Sequence, residues 1–493
     1  MDAVTLQVML GALRAACDEM GVVLTRAAHS ANIKERRDAS TALFDAEGRL
    51  VMQAEHIPVH LGAMPSAVAA VLAEDHSDGA SWILNDPYRG GTHLPDITVI
   101  TPVHARGELV GFAASRAHHA DVGGSTPGSM PADSRTLADE GVVIPPTRID
   151  DALVDRLAAQ MRNPRQRRAD LRAQLAANRA GAARLHELAE RHGLDALREG
   201  MAETLDYAER RTRAAIARLG DGVREARDVL EAPGGDLELR LRATVSGDEL
   251  TLDFAGSAPQ HDGNLNCPLA VTLSACYFAL RVLADPDVPA CAGAWRPLTV
   301  RVPEGSLLNA RPPAAVAAGN VETSSRVADL VLAAFGRALG QGTMNNLTLG
   351  NERFTYYETL GGGQGACPDA DGPSAVHVAM SNTLNTPIEA LELEFPLRAV
   401  EYAVRRGSGG AGAHRGGDGV VRELEALEPM AFSLITERRR HAPPGAAGGE
   451  PGRPGRNLLN GRELPAKASG ELRPGDRLRI ETPGGGGHGE PIG

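Results

Sequence analysis

Asn85-Asp86-Pro87-Tyr88-Arg89-Gly90-Gly91-Thr92-His93-Leu94-Pro95-Asp96 and His118-His119-Ala120-Asp121-Val122-Gly123-Gly124 bracket two strand-like runs, residues 97–102 and 109–115. Ala105-Arg106-Gly107-Glu108 between the runs has a turn composition, so together they predict a β-hairpin. A hairpin returns the chain to where it began, which should bring the two motifs close in space. Leu94-Pro95 excludes regular helix between His93 and Asp96, because proline disfavours helical conformation in the residue before it. The His-x-x-Asp spacing recurs at His118 and Asp121. Imidazole nitrogen and carboxylate oxygen are the ligand set of a hydrolytic divalent-metal site, and without thiolate they suit zinc, manganese or iron. Asp38, after the charged segment Asn32-Ile33-Lys34-Glu35-Arg36-Arg37, could complete the shell. Asp121, Asp86 and Glu140 are candidates for a general base outside it. His119 should point away from its neighbour, into a supporting or purely structural place.

Outward from this centre, apolar residues at three- and four-residue spacing predict a helix over 4–28. Thr41-Ala42-Leu43-Phe44 and Arg49-Leu50-Val51-Met52 flank the turn Asp45-Ala46-Glu47-Gly48 as a second hairpin. Residues 61–73 read as helix and Ser81-Trp82-Ile83-Leu84 as a short strand. Residues 165–219 predict one or two amphipathic helices with solvated charges. Strands follow in 236–256, helices near 268–283 and 325–339, and short strands broken by glycine from 345 onward. Residues 443–456 read as a loop or linker. The expected fold is α+β and multidomain, with long helices and mixed sheets. An N-terminal metal-site domain should span 1–228, and a C-terminal mixed region 229–493, with the change near Ala232-Pro233-Gly234-Gly235.

The 493 residues exceed one ordinary core. The 51 basic and 63 acidic side chains give a net charge of −12, and aromatics are 3%. That balance disfavours nucleic acid or an anionic membrane as partner. No apolar run approaches the roughly 20 residues of a membrane span. Met1-Asp2 opens directly into the amphipathic pattern without a leader-like segment, and five cysteines lack any Cys-x-x-Cys pair. A cytoplasmic protein is therefore expected. Glycine clusters at 361–365, 407–412, 416–419 and 484–489 match neither a P-loop nor a dinucleotide fingerprint, and read as turns and close backbone packing. No Gly-x-Ser-x-Gly elbow is present, and nothing pairs Cys291 or Cys367 with a histidine.

These motifs continue in order through Gly319-Asn320-Val321-Glu322-Thr323, Tyr356-Tyr357-Glu358-Thr359-Leu360-Gly361-Gly362-Gly363, Asn382-Thr383-Leu384-Asn385-Thr386-Pro387-Ile388-Glu389 and Thr482-Pro483-Gly484-Gly485-Gly486-Gly487. With them the chain resembles, over nearly its whole length, the hydantoinase B/oxoprolinase family. The same domain type occurs in acetone and acetophenone carboxylases. The resemblance implies a B-type subunit of an ATP-dependent cyclic-amide hydrolase, working in a hetero-oligomer with an A-type subunit. The A-type subunit, with an acetate-kinase-like ATP site, would phosphorylate the amide oxygen. The B-type subunit would complete hydrolysis with a divalent metal. Carried over position by position, the implied metal ligands are Asp38, His93, Asp96 and His118, with Asp121 close to them. The carboxylase branch and a non-catalytic scaffold subunit are the alternatives. Ala39 stands where the family pattern leads one to expect an aromatic residue, and Cys291 where it leads one to expect asparagine.

Overall fold

The structure, a computed structural model, describes residues 1–285 and 287–491. In chain order, α1 (Ala3–Ala27) and α2 (Ala31–Lys34) lead into β1 (Ala39–Asp45) and β2 (Leu50–Glu55). There follow α3 (Ala63–Ala69), β3 (Trp82–Leu84), β4 (Asp96–Ala105), β5 (Glu108–His118), α4 (Leu137–Glu140) and β6 (Thr147–Arg148). α5 (Asp151–Ala159), α6 (Pro164–His192) and α7 (Leu194–Arg218) complete this half. The strands form one sheet in the order β2-β1-β5-β4-β3-β6, so the hairpin expected between the two motifs lies at its centre. Its register pairs Asp96 with His118 and Ile97 with Ala117.

Asp2 starts α1 by accepting hydrogen bonds from the N–H groups of Val4 and Thr5. The apolar stripe of α1, from Leu6 to Leu24, packs with Leu43, Val51, Ala113 and Ala117 on one face of the sheet. Phe44, Ile100, Phe112 and Ala114 point to the other face, which α3 covers with Met64, Ala67 and Val68. Both faces are thus sealed, and β1 is buried along its whole length. The predicted stretch 165–219 is two helices, broken at Gly193, whose φ is +90°. Its polar residues are not all solvated. Asp170 accepts from His29 N and Ser30 N, while the Gln174 side-chain amide donates to Ile97 O and Ser115 O. Asn178 donates to Val99 O, so α6 is pinned across the central hairpin by buried hydrogen bonds.

The change from helix to strand comes at β7 (Gly222–Ala232), which pairs with β8 (Gly235–Ser246). The expected boundary at 228/229 therefore falls inside a strand, and Pro233-Gly234 is the hairpin tip. β9 (Glu249–Asp253) and β10 (Leu298–Arg301) complete that sheet. Helices α8 (Leu269–Leu283) and α9 (Ala292–Trp295) lie between them in sequence. A π-helical turn, Gly319–Thr323, runs into α10 (Ser324–Ala334). Beyond it come β11 (Asn346–Gly350), β12 (Thr355–Glu358), α11 (Ile388–Glu394) and seven more strands in two sheets, making the chain α+β and multidomain. The glycine clusters pack backbone on backbone: a Cβ on Gly485 would meet Gln364 O at 2.0 Å, and one on Gly416 would meet Gly485 O at 2.0 Å. Among the described residues no helix is long and apolar enough to cross a membrane.

Candidate metal centre

Asp96 opens β4 and His118 closes β5, and as a cross-strand pair they share the sheet face of Ile100 and Ala114. His93 reaches them from the turn before β4, where Asp96 N donates to His93 O at 3.1 Å. That turn is clamped from two sides. Asn85 donates to Leu94 O (2.8 Å) and accepts from Ile144 N (2.6 Å). The Arg116 guanidinium joins Thr98 Oγ1 (2.7 Å) to Gly90 O (2.9 Å). Gly90 has φ +99°, and a Cβ on Gly91 would strike Asn85 O at 2.2 Å, so this path needs both glycines.

The result is a triangle of donor atoms. His93 Nε2 lies 3.2 Å from Asp96 Oδ1, His118 Nδ1 lies 3.3 Å from the same oxygen, and the two nitrogens are 3.3 Å apart. Tetrahedral ligand atoms about 2.0 Å from one ion are separated by roughly 3.3 Å, so the spacing fits a shared cation. Among the described residues, His93, Asp96 and His118 are the group whose donor atoms all lie within 4.8 Å. All three are buried. His93 Nδ1 and His118 Nε2 are buried without a hydrogen-bond partner. Burial lowers the His118 pKa, favouring the neutral imidazole with a free lone pair. Burial acts to raise Asp96, yet the charge of His93 and hydrogen bonds from His118, His60 and His93 hold it well below the usual carboxylate range. Its other oxygen accepts from Thr92 Oγ1 at 2.6 Å.

Asp38, the fourth ligand the resemblance implied, stands beside the triangle. It is buried, its carbonyl receives His118 N at 3.0 Å, and its carboxylate is 3.9 Å from Arg36 Nη2. The three base candidates hold backbone. Asp121 accepts from Gly123 N, Gly128 N and Arg162 N, and pairs with Arg162 Nη1 at 3.0 Å. Asp86 caps the turn at Tyr88 N. Glu140 accepts from Val316 N, Ala317 N and Ser134 Oγ, and burial pushes its pKa up to about 7. Within the described residues no hydrogen bond or ion pair joins these three to the triangle. His119 turns toward α6, where Nε2 meets Gln174 Oε1 at 2.9 Å, and burial lowers it to about 4.

Two residues at the centre were not expected. His60, in the turn Pro58–His60, bonds Ser40 Oγ through Nδ1 (2.8 Å) and places Nε2 3.4 Å from Asp96 Oδ2. The pair His56 and His60 ahead of the helix over 61–73 was the signal available for it. Tyr357 of β12 stacks on His118 at 4.6 Å between ring centroids and 8° between planes. The Arg36 guanidinium lies 4.7 Å from the Tyr357 ring centroid. Tyr357 comes from the far half of the chain, and only the packing of the two halves brings it here.

The sequence model of the hydantoinase B/oxoprolinase family matches residues 2–491. A curated relative, 5-oxoprolinase 1 of Arabidopsis thaliana, is 40% identical over 531 aligned residues, covering 100% of this chain and 42% of that protein. The chain thus spans about two-fifths of the length of the first curated relatives it matches. Among solved structures, the ATP-dependent caprolactamase from Pseudomonas jessenii superimposes with a TM-score of 0.93 at 29% identity, covering 99% of this chain and 91% of that one. An acetone carboxylase structure gives a TM-score of 0.90 at 17% identity, covering 100% and 76%, a likeness of fold.

Proposed function

The chain belongs to the hydantoinase B/oxoprolinase family, and from that premise we propose that it is the B-type half of an ATP-dependent cyclic-amide hydrolase. The observation that carries this reading is the buried triangle of His93, Asp96 and His118. These residues, with Asp38 beside them, would hold a divalent ion. Such an ion, when bound, polarises a carbonyl or phosphoryl oxygen and lowers the pKa of water to about 7. The chain's own contribution is preorganisation. The hairpin fixes Asp96 against His118, Thr92 and His60 hold the second Asp96 oxygen, and Tyr357 covers one face of His118.

The chain carries no nucleotide motif, so ATP would be used by an A-type partner that phosphorylates the amide oxygen. Addition of one water to the phosphorylated amide carbon would break the ring C–N bond and leave an acyl phosphate, from which a second water would release phosphate. The likeness to 5-oxoprolinase 1 and to the ATP-dependent caprolactamase supports this substrate class. Co-expressed with an A-type partner, the chain should open 5-oxoproline, hydantoin or caprolactam with stoichiometric ADP. His93→Ala and Asp96→Ala should abolish ring opening and strip the purified protein of metal. A metal-free protein whose two variants keep full activity would refute the proposal. Bicarbonate-dependent consumption of a ketone would assign the chain to the carboxylase branch instead.

A further inference from the structure

His118 offers Nδ1 to the triangle, and its Nε2 is buried without a hydrogen-bond partner. A ligand imidazole is ordinarily aimed by a hydrogen bond from its other ring nitrogen to a carboxylate, a carbonyl or water. Here the contact with Tyr357 takes that place, with ring centroids 4.6 Å apart and planes within 8° of parallel. Whatever holds Tyr357 therefore aims His118. The Tyr357 carbonyl is held by Arg36 Nη1 at 3.1 Å. The Tyr357 hydroxyl donates to Asn346 Oδ1 at 2.6 Å. Tyr357 of β12 pairs with Thr348 of β11, so Asn346, two residues before Thr348, is its diagonal neighbour on the same sheet face.

An amide can offer a phenol either its oxygen or its nitrogen. For Asn346 the choice is made one step further out. Asn346 Nδ2 donates to Glu322 Oε1 at 3.3 Å, with Ile435 O at 3.5 Å as a weaker second acceptor, and this turns Oδ1 toward Tyr357. The same Glu322 oxygen accepts from Met344 N at 3.2 Å, so the backbone just ahead of β11 fixes it as an acceptor. Tyr357, Asn346 and Glu322 are all buried. Glu322 lies in the π-helical turn Gly319–Thr323, a rare geometry that concentrates at functional sites. That turn is pressed against its neighbour, since a Cβ on Gly319 would lie 1.8 Å from Asn266 O. We propose, on the reading that His93, Asp96 and His118 hold a divalent ion, that Glu322 is a positioning residue of the metal centre. Through Asn346 and the Tyr357 hydroxyl it fixes the ring that aims His118 Nδ1 at the ion.

The test uses the full chain with zinc and cobalt(II) as probes. Chelator competition gives Kd for zinc, and the visible bands of bound cobalt(II) report the geometry of its ligands. Glu322→Met keeps the bulk and removes the acceptor, and should raise Kd about tenfold and shift the cobalt bands. Tyr357→Phe keeps the ring and removes the hydroxyl, and should do the same. The double variant should bind no more weakly than Tyr357→Phe, because both changes act through one hydroxyl. Glu322→Gln keeps an acceptor oxygen and should bind within twofold of wild type with the wild-type cobalt spectrum. A carboxylate that only supports the fold would give factors that multiply in the double variant. Multiplying factors, an unchanged Kd and spectrum in either single variant, or a Glu322→Gln as weak as Glu322→Met would each overturn the positioning role and leave the metal centre standing. Should Glu322→Met fail to fold, Asn346→Leu breaks the same chain one step nearer to Tyr357 and replaces it in the cycle, with the same outcomes deciding. A wild-type chain that binds neither ion overturns the metal-centre reading, and the positioning role with it.

Discussion

Glu140→Ala removes a carboxylate that ties α4 to the start of the helical segment leading into α10. Its oxygens accept from Val316 N at 3.0 Å, Ala317 N at 2.9 Å and Ser134 Oγ at 2.9 Å. Ser134 keeps a contact with Asn264 Nδ2 at 3.1 Å and can adapt. The two backbone N–H groups cannot. Left buried without an acceptor, they cost about 1–3 kcal/mol each, and losing an anion at a helix N-terminus adds about 0.3–1 kcal/mol, roughly 2–7 kcal/mol together. Followed by circular dichroism in urea, with a slope of about 3 kcal/mol/M, the transition should fall by roughly 1–2 M. Glu140→Gln retains a carbonyl oxygen for the same two N–H groups and should keep most of the stability and the ring-opening rate. A general base gives the opposite pattern, because Glu140→Gln would then lose about 10²–10⁴ in rate with stability intact. An unchanged urea midpoint in Glu140→Ala, or a hundredfold slower but fully stable Glu140→Gln, would refute the clamp.

Adding zinc or manganese to the metal-free chain should raise its melting temperature, with about 2.7 kcal/mol of stabilisation at a hundredfold excess over Kd. The rise should vanish in His93→Ala and His118→Ala, and a rise that survives in both would move the ion elsewhere. Burial, reinforced by the Glu437 carboxylate, pushes Glu322 from 4.5 up to about 8. The folded state therefore holds that proton more tightly than the unfolded chain. The stability it gives is complete below about pH 4.5 and is lost as pH rises through about 8. Melting curves should show wild type losing ground to Glu322→Gln between about pH 5 and pH 9, and a constant difference would contradict the assignment. Gly485→Ala places a Cβ 2.0 Å from Gln364 O, so that variant should be insoluble or melt far below wild type, and a wild-type melting temperature would disprove the close packing.

The hairpin between the two motifs was legible because Ala105-Arg106-Gly107-Glu108 separates two β-prone runs, and pairing across it follows from local turn geometry. Its register delivered Asp96 opposite His118, so three of the four ligands implied by the resemblance converge. Asp38 was placed less sharply, since it enters from an earlier strand whose pairing is not a local property. The charges of α6 read as solvated because periodicity reports only which side is more apolar. Asp170, Gln174 and Asn178 are buried because they satisfy backbone groups just before α2 and on the hairpin, partners far away in sequence. In the stretch of β7 the sequence showed only the change from helix to strand and not the strand itself, most of whose residues are exposed or half-buried.

The sequence by itself determined the local elements, the glycine path Gly90-Gly91, and the chemistry of a nitrogen and oxygen donor set without thiolate or nucleotide loop. These depend on residue type, spacing and turn preference, all short-range. Only the tertiary structure decided that His60 joins Asp96, that Tyr357 stacks on His118 from more than two hundred residues away, and that Asp121 and Glu140 hold backbone. Those facts depend on which buried group finds which partner when the two halves close on each other. That choice is made by hydrogen-bond satisfaction and packing across the whole chain.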